Sequence, residues 1–352
     1  MASGPSKDIV TEENGQFESR KREHIELSLL PDNQATGRSG LDEYHLPHCA
    51  MPEIDWNEIS IESSILGAVR KTPFLISSMT AGHHGSVNLN ERLALAASRR
   101  GWIMGVGSQR KELFDEEAHQ EWVELRKTIG SELLMVGNIG LSQVIQTPPE
   151  KIQDLVDSLK AIALFVHTNP LQEALQVEGT PYFKGGFESV ARLSQILSVP
   201  VILKETGCGF SASTLQQANE LGIYAVDVAG FGGTHWGRIE GGRNGADALK
   251  NQAAKTFANW GVSTYQSLLN ARGLDKKNFA VWASGGIRSG LDAAKCISLG
   301  AECVGFAKPL LDSAVQSQDA LEKTMEALEF ELKVALFCTG SRSVNDLKKL
   351  RV

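Results

Sequence analysis

The sequence predicts a closed (β/α)8 barrel of the TIM type, preceded by an N-terminal extension. Eight short apolar segments recur after Thr72, and each is followed by a glycine or polar residue and then by a longer amphipathic segment. Strands buried on both faces of a parallel sheet are near-continuous apolar runs, and eight strand–helix units close a barrel. The 352 residues suffice for one such barrel plus extensions. An open doubly wound sheet is the alternative architecture.

The predicted barrel occupies residues 71–352, and its strands and helices alternate along the chain. The strands are predicted at residues 73–78, 102–105, 133–137, 161–166, 200–203, 224–229, 280–283 and 303–306. Helices are predicted between them at residues 91–100, 116–127, 151–159, 188–197, 212–221, 265–271 and 291–299. A last long helix should pack its apolar stripe on the barrel wall through Leu321, Met325, Leu328, Leu332 and Leu336.

Two segments precede the barrel. Residues 1–16 are polar and predict a disordered tail. Residues 17–70 form the extension, in which prolines among scattered apolar residues predict an irregular layer or short strands covering one end of the core. Its basic cluster, Arg20, Lys21 and His24, is either part of a site or a solvated charged face.

Composition excludes several classes of function. The net charge of −7 argues against nucleic acid as a partner, because a phosphate backbone requires a basic face. The five cysteines form no CxxC pair and no zinc-like cluster, which indicates reduced thiols, a cytoplasmic location and no structural metal. No apolar run approaches the roughly 18 residues that cross a bilayer, so we expect no membrane association.

In an α/β barrel the site lies at the carboxyl ends of the strands. After the first strand, small residues and hydroxyls at Ser78, Met79 and Thr80 either let a flat ligand lie close to the backbone or form an ordinary turn. After the second strand, Arg110 could reach a phosphate or pair with an acid. After the third, the Asn138 amide could bind a ligand or a loop carbonyl.

The fifth and sixth strand ends carry a lysine and a glycine-rich loop. Lys204 directly follows an apolar run, so it is either paired with an acid such as Glu205 or directed at a negative ligand group. The connection at residues 230–243, which includes Thr234, is long and rich in glycine. Such a connection inside a compact barrel is more often functional than filler.

The seventh and eighth strand ends predict a phosphate site. Gly285 and Gly286 follow a strand and precede a helix, so backbone N–H groups and the positive helix end should meet there, with Arg288 beside them. Ala307 and Lys308 end the eighth strand. Barrel phosphate sites are commonly shared by these two loops.

The fourth strand end has the densest polar sequence. His167 and Asn169 are two residues apart, so an extended backbone would direct both side chains the same way. Gln172 has no useful pKa, so it can orient a substrate or water but cannot act alone as a general base. Glu173 could bind Mg²⁺, which proteins usually hold through one or two carboxylates. A solvated helix start is the alternative for the last two residues.

These stretches together resemble the type 2 isopentenyl diphosphate isomerase family, which is flavin-dependent. The resemblance runs from Arg20 to near the C-terminus. Its motifs are Arg-Lys-x-x-His at Arg20, Lys21 and His24; Ser-Met-Thr-x-Gly at Thr80; Gly-Ser-x-Arg ending at Arg110; Asn138-Ile-Gly; His167-x-Asn169-x-x-Gln172-Glu173; Lys204-Glu205; Ala-Gly-x-Gly-Gly-Thr234; Ser-Gly-Gly-x-Arg288; and the eighth strand end at Ala307. The fourth-strand motif is fairly specific, whereas many FMN barrels share the glycine motif.

The resemblance implies roles for these residues. FMN would contact Ser78, Met79, Thr80, Ser108, Asn138, Lys204, Thr234, Gly285, Gly286, Arg288, Ala307 and Lys308. The substrate diphosphate would meet Arg20, Lys21, His24, Arg110 and His167. Asn169 and Gln172 would lie near the carbon skeleton, so that His167, Asn169 and Gln172 are the candidate catalytic residues, and Glu173 would carry Mg²⁺.

The implied reaction is a 1,3-allylic proton shift between isopentenyl and dimethylallyl diphosphate. It needs FMN reduced by NAD(P)H, and the reduced flavin itself would exchange the protons. The resemblance also suggests a homotetramer or homo-octamer. The alternative is an FMN-dependent oxidoreductase of the 2-hydroxy-acid oxidase or nucleotide dehydrogenase type, for which Cys208 is the only tempting thiol. Two positions depart from the family pattern: Ala81 replaces the usual glycine, and His235 follows Thr234 where serine is commoner.

Overall fold

The computed structural model describes residues 20–79, 87–243 and 247–350. The candidate cofactor residue Thr80 and the predicted tail lie outside this part of the chain. The barrel strands are β3 (Phe74–Ile76), β4 (Ile103–Gly105), β5 (Leu134–Gly140), β6 (Ala163–Thr168), β7 (Val201–Glu205), β8 (Ala225–Asp227), β9 (Ala280–Ala283) and β10 (Ala301–Phe306). Each one overlaps a predicted strand.

The eight strands form a closed parallel barrel in the order β10-β3-β4-β5-β6-β7-β8-β9. Closure depends on the pairing of the last strand with the first, in which Val304, Gly305 and Phe306 lie opposite Phe74, Leu75 and Ile76. The predicted (β/α)8 barrel is therefore confirmed, and the open doubly wound sheet is excluded.

The helices surround the barrel. They are α2 (Val87–Arg100), α3 (Glu116–Ile129), α4 (Leu141–Gln146), α5 (Pro149–Leu159), α6 (Pro170–Leu175), α7 (Gly186–Ile196), α8 (Ala212–Ala218), α9 (Trp236–Gly242), α10 (Ala248–Thr256), α11 (Thr264–Arg272), α12 (Gly290–Ser298), α13 (Lys308–Gln316), α14 (Gln318–Cys338) and α15 (Val344–Lys348). The five apolar residues predicted to anchor the last long helix are all buried on α14. None of the described helices is long and apolar enough to span a bilayer.

Apolar side chains fill the lower barrel. An inner cluster contains Leu75, Val136, Phe165 and Trp282, and the rings of Phe165 and Trp282 meet edge to face with centroids 5.8 Å apart. A second, larger apolar layer lies between the strands and the helices. Because the inner cluster closes the lower barrel, a ligand can enter only at the carboxyl ends of the strands.

The N-terminal extension reaches both ends of the barrel, whereas the sequence predicted a cover over one end. Residues 20–29 form helix α1, which borders the cavity at the carboxyl end. The hairpin β1 (Ser63–Ile65) and β2 (Ala68–Arg70) lies at the opposite end, where Ile65 joins the inner apolar cluster. The Leu66 backbone N–H donates to Tyr224 and Glu302 at the starts of two barrel strands. This difference arises because Ile65 of the hairpin packs into the apolar lower barrel, while α1 is basic and lies at the ligand-accessible end.

Candidate active site

A cavity of about 1670 Å³, counting the part open to solvent, lies at the carboxyl ends of the strands. Every barrel strand or the loop that follows it contributes to its lining. The residues of interest along it are Arg20, Lys21, His24, Ser78, Met79, Ser108, Arg110, Asn138, His167, Gln172, Glu173, Lys204, Thr234, Gly285, Gly286, Arg288, Ala307 and Lys308. The structure therefore brings together the described candidate residues, with one exception, Asn169.

Asn169 is buried and does not line the cavity. Its side-chain oxygen accepts the Gln172 backbone N–H at 2.9 Å, and its amide nitrogen donates to Thr206 Oγ1 at 3.0 Å. Strand β6 ends at Thr168, one residue before Asn169. The extended backbone that was expected to direct the His167 and Asn169 side chains the same way therefore does not reach Asn169. Asn169 caps α6 and thereby fixes the position of Gln172.

The glycine loop after β9 is shaped by close backbone packing. Gly285 and Gly286 have φ angles of 93° and 68°, and a Cβ on Gly285 would lie 2.3 Å from the Gly230 carbonyl oxygen. At the start of α12, Ser289 and Asp292 form a reciprocal capping box, which satisfies part of that helix end. The sequence pattern Ser-x-x-Asp from Ser289 to Asp292 is the signature of this capping box.

The neighbouring helix α13 begins differently. Its N-cap is Ala307, which provides no side-chain hydrogen bond, and both Ala307 and Lys308 border the cavity. The positive end of α13 thus remains available to an anion next to the Gly285–Gly286 loop. Residues of both loops line the same cavity, and the phosphate site expected there stays a prediction.

Lys204 is paired with Asp227. Its ammonium group donates to the Asp227 carboxylate and, at 2.9 Å, to Ser284 Oγ. The suggestion that Glu205 is the partner is wrong, because successive residues of a strand point to opposite faces. Asp227 lies opposite Lys204 in the register of β7 and β8.

Glu205 instead organises the loop after β7. Its carboxylate accepts the backbone N–H groups of Thr206, Cys208 and Gly209. Burial raises the pKa of Glu205 to about 8 despite these hydrogen bonds. Burial and the nearby Glu205 also raise the pKa of the Cys208 thiol, which therefore stays protonated at neutral pH. Cys208 is not an activated nucleophile.

Cations converge on one side of the cavity. Arg20 and Lys21 come from α1, and Arg110 comes from the loop after β4. Burial, followed by repulsion from Arg20 and Arg110, lowers the pKa of Lys21 to about 7. Placing like charges together costs free energy in the ligand-free protein, so this arrangement favours a multiply charged anion.

A buried ion cluster attaches α1 to the barrel, and sequence reasoning assigned it no role. Arg243 contacts Glu23 of α1 at 3.2 Å, Glu178 at 2.9 Å and Glu240 of α9 at 2.9 Å. Glu240 also bonds His24 Nε2 at 2.9 Å and accepts from Gln172 Nε2 at 3.2 Å. The only signal in the sequence was the glycine-rich loop that contains Glu240 and Arg243.

The fourth strand end presents His167 and Glu173 to the cavity. His167 Nδ1 lies 2.8 Å from Asn138 Oδ1. Burial, together with Lys21 and Lys204, lowers the pKa of His167 to about 4, so the imidazole is neutral at pH 7. The Glu173 carboxylate accepts the Thr180 backbone N–H at 2.7 Å. Within the described residues, no three His, Cys, Asp or Glu side chains form a ready-made metal site.

His235 has a structural environment. It is buried, does not line the cavity and caps α9 by accepting the Arg238 backbone N–H at its Nδ1. Its Nε2 lies 3.3 Å from the Trp260 carbonyl oxygen. The unusual histidine after Thr234 therefore belongs to the loop and helix rather than to the cavity surface.

Comparison with known proteins places this geometry in context. Residues 141–352 match the model of the FMN-dependent dehydrogenase family. The chain is 50% identical to isopentenyl-diphosphate delta-isomerase of Bdellovibrio bacteriovorus, over 97% of this chain and 99% of the relative. It is 38% identical to the enzyme of that name from Halobacterium salinarum, over 97% of this chain and 95% of the relative.

Similar solved structures support the fold. A mandelate oxidase variant with an FMN adduct has a TM-score of 0.61 at 18% identity, covering 94% of this chain and 91% of that one. A lactate oxidase from Pediococcus acidilactici has a TM-score of 0.65 at 14% identity, covering 95% and 93%. At these identities the similarity establishes only the shared barrel.

Proposed function

This chain belongs to the isopentenyl-diphosphate delta-isomerase family and carries an FMN-dependent domain, and from that premise we propose how its cavity performs the isomerisation. The protein interconverts isopentenyl and dimethylallyl diphosphate by a 1,3-allylic proton shift. The expected alternative, a 2-hydroxy-acid oxidase or nucleotide dehydrogenase, shares the barrel but is not supported by the full-length relatives. The cavity residues divide among the cofactor, the substrate diphosphate and the metal ion.

The cavity fits FMN. The hydroxyl groups of Ser77 and Ser78 are buried at its wall without a hydrogen-bond partner among the described residues. Groups of this kind favour a polar ligand. The uncapped start of α13 and the Gly285–Gly286 loop suit the phosphate. The residues that would hold FMN are Ser78, Met79, Thr80, Ser108, Asn138, Lys204, Thr234, Gly285, Gly286, Arg288, Ala307 and Lys308, and in its reduced form the cofactor would supply acid–base chemistry at the alkene carbons.

The observation that carries the substrate assignment is the convergence of Arg20, Lys21 and Arg110 in a chain of net charge −7. These cations, with His24 and His167, bind the diphosphate. Buried cations interact strongly with a phosphate because the surrounding protein screens them less than water does. The ion cluster around Arg243 holds α1 in place, so that the basic residues keep their positions before substrate arrives.

Gln172 serves the reacting carbon skeleton of the substrate, and Glu173 serves its diphosphate. The Gln172 amide nitrogen donates to Glu240 and, at 3.3 Å, to Gln176, which leaves its oxygen available to the ligand. Gln172 therefore orients the substrate, and Asn169 positions Gln172 through the α6 cap. Glu173 would hold the Mg²⁺ that accompanies the diphosphate, an ion that proteins usually bind through one or two carboxylates.

We also propose that NAD(P)H is the reductant and that the protein is a homotetramer or homo-octamer.

Isomerase turnover is measured with FMN reduced and then oxidised, without a second substrate. We expect activity only with reduced FMN and no stoichiometric consumption of NAD(P)H. Turnover with oxidised FMN, or one NAD(P)H consumed per product, would contradict the proposal.

A further inference from the structure

The side chain of Asn138 has only one possible orientation at the cavity wall. Its Nδ2 lies 3.0 Å from the Val106 carbonyl oxygen, which can only accept a hydrogen bond. The atom facing Val106 must therefore be the amide nitrogen, and Oδ1 faces His167 Nδ1 at 2.8 Å. Because an amide oxygen also only accepts, His167 Nδ1 carries a hydrogen.

This hydrogen determines the other imidazole nitrogen. A neutral histidine has one N–H, so Nε2 of His167 carries a lone pair. Nε2 of His167 lies close to Gly140, because a Cβ atom added to that glycine would be 3.2 Å from Nε2. An ionised diphosphate oxygen is also only an acceptor, and Lys21, Arg20 and Arg110 keep it ionised. The two lone pairs repel unless Nε2 is protonated.

Gln109 braces this arrangement from behind. Its Oε1 accepts the Asn138 backbone N–H at 2.9 Å, and its own backbone N–H donates to the Asn138 carbonyl at 2.8 Å. Its amide nitrogen donates to Glu112 at 3.1 Å, so the Gln109 amide is fixed as well. Gly137 leaves room for it, since a Cβ there would lie 2.9 Å from Gln109 Oε1. Gln109 is the unassigned position of the Gly-Ser-x-Arg motif.

We propose that diphosphate binding takes up a proton from solvent onto His167 Nε2, and that Gln109 and Asn138 are positioning residues that impose this by fixing the Nδ1–H form. The inference rests on the proposed function, because it takes His167 as a diphosphate contact. The charged groups that face His167 are Lys21 of α1 and Lys204 of β7, and Asp227 offsets the second. The bound anion supplies the charge that stabilises the imidazolium.

The direct test is nitrogen NMR of the FMN-loaded protein labelled with ¹⁵N-histidine. The chain has 8 histidines, and the His167 signals are identified by their loss in His167→Gln. We expect Nδ1–H with an unprotonated Nε2 in the free protein, and both nitrogens protonated when inorganic pyrophosphate and Mg²⁺ are saturating. A free protein with hydrogen on Nε2, or a neutral imidazole in the complex, would overturn the proposal.

Calorimetry in two buffers of different ionisation enthalpy gives the proton count. At pH 7 the native protein should take up about one proton more per bound pyrophosphate than His167→Gln does. Taking the difference removes the protons exchanged by pyrophosphate and Lys21. Equal uptake by the two proteins contradicts the inference. If pyrophosphate fails to bind while isomerase activity is present, the inference alone fails; if activity is also absent, the proposed function fails with it.

The role of Gln109 has its own variant. Gln109→Met keeps the length of the side chain but removes the acceptor that holds the Asn138 backbone N–H. Asn138 Oδ1 should then shift away from His167 Nδ1, and the Nε2–H tautomer should appear beside the Nδ1–H form in the His167 spectrum. Gln153→Met makes the same change on the outer helix α5, where Gln153 bonds Asp157 and Ser198, and should leave the spectrum unchanged. A single Nδ1–H form in Gln109→Met would show that Gln109 has no positioning role.

Discussion

Breaking the Lys204–Asp227 pair should cost this protein a large part of its stability. The side chain of Lys204 is 5% exposed and that of Asp227 is 1% exposed. Asp227→Asn preserves the shape of the side chain but removes its charge. The buried ammonium group then keeps Ser284, a neutral amide and the Phe165 ring as partners, none of which carries a charge.

The expected loss follows from burial. Removing one partner of a buried ion pair costs about 3–5 kcal/mol, because the remaining charge stays desolvated without compensation. Domains are stable by about 5–15 kcal/mol, so this change is a large fraction of the total. At a urea m value of about 3 kcal/mol per molar, the unfolding midpoint should fall by about 1–1.7 M. Replacing both partners, as in Lys204→Met with Asp227→Leu, should recover part of the loss, because it removes the uncompensated charge but leaves Ser284 and the Ala229 backbone N–H without their acceptor.

Urea unfolding followed by circular dichroism measures this effect. The FMN-free proteins are compared at one concentration, because bound ligand would add its own stabilisation. The m value should stay constant among the variants. A loss of less than about 1 kcal/mol for Asp227→Asn, or a double variant less stable than the single one, would refute the argument from uncompensated charge.

Four further outcomes are expected from the site. Because the pKa of Lys21 is about 7 in the free protein, the protonation equilibrium of Lys21 should contribute a loss of pyrophosphate affinity of up to about tenfold per pH unit above pH 7, in addition to the proton taken up by His167, and titration calorimetry of Lys21→Gln should show a shallower dependence. Burial alone would raise the pKa of Glu178, but its bonds to Arg243 outweigh the effect of burial and lower the pKa to about 2. The stabilisation by the ionised Glu178 is therefore complete above the ordinary pKa of 4.5 and is lost as the pH falls toward 2. Acid unfolding of Glu178→Gln should lack this loss of stability between pH 4.5 and 2. Gln172→Ala should lower kcat with reduced FMN still bound, and full kcat in this variant would contradict the orienting role of Gln172. Glu173→Gln should weaken the magnesium dependence of turnover, and an unchanged magnesium titration would contradict the metal-binding role of Glu173.

Local sequence patterns were sufficient for the strands and for most of the cavity. Parallel barrel strands are buried on both faces, so they stand out as apolar runs, and the residues just after each run must meet at one rim. This reasoning brought Arg110, His167, Lys204 and Gly285 to the same cavity. It failed at Asn169, because the strand ends one residue earlier than the extended pattern implied.

The sequence by itself determined the closed barrel, the end of the barrel that carries the site and most of the polar residues around it, because each depends on the order and spacing of residues along one segment. Only the tertiary structure decided which charges are paired. Lys204 meets Asp227 rather than adjacent Glu205, Arg243 gathers carboxylates from three segments, and Gln109 braces Asn138. These partners lie far apart in the chain or on neighbouring strands, and their contact depends on barrel closure and strand register, which no local pattern encodes. The same contacts fix His167, whose place at the rim was predictable but whose protonation was not.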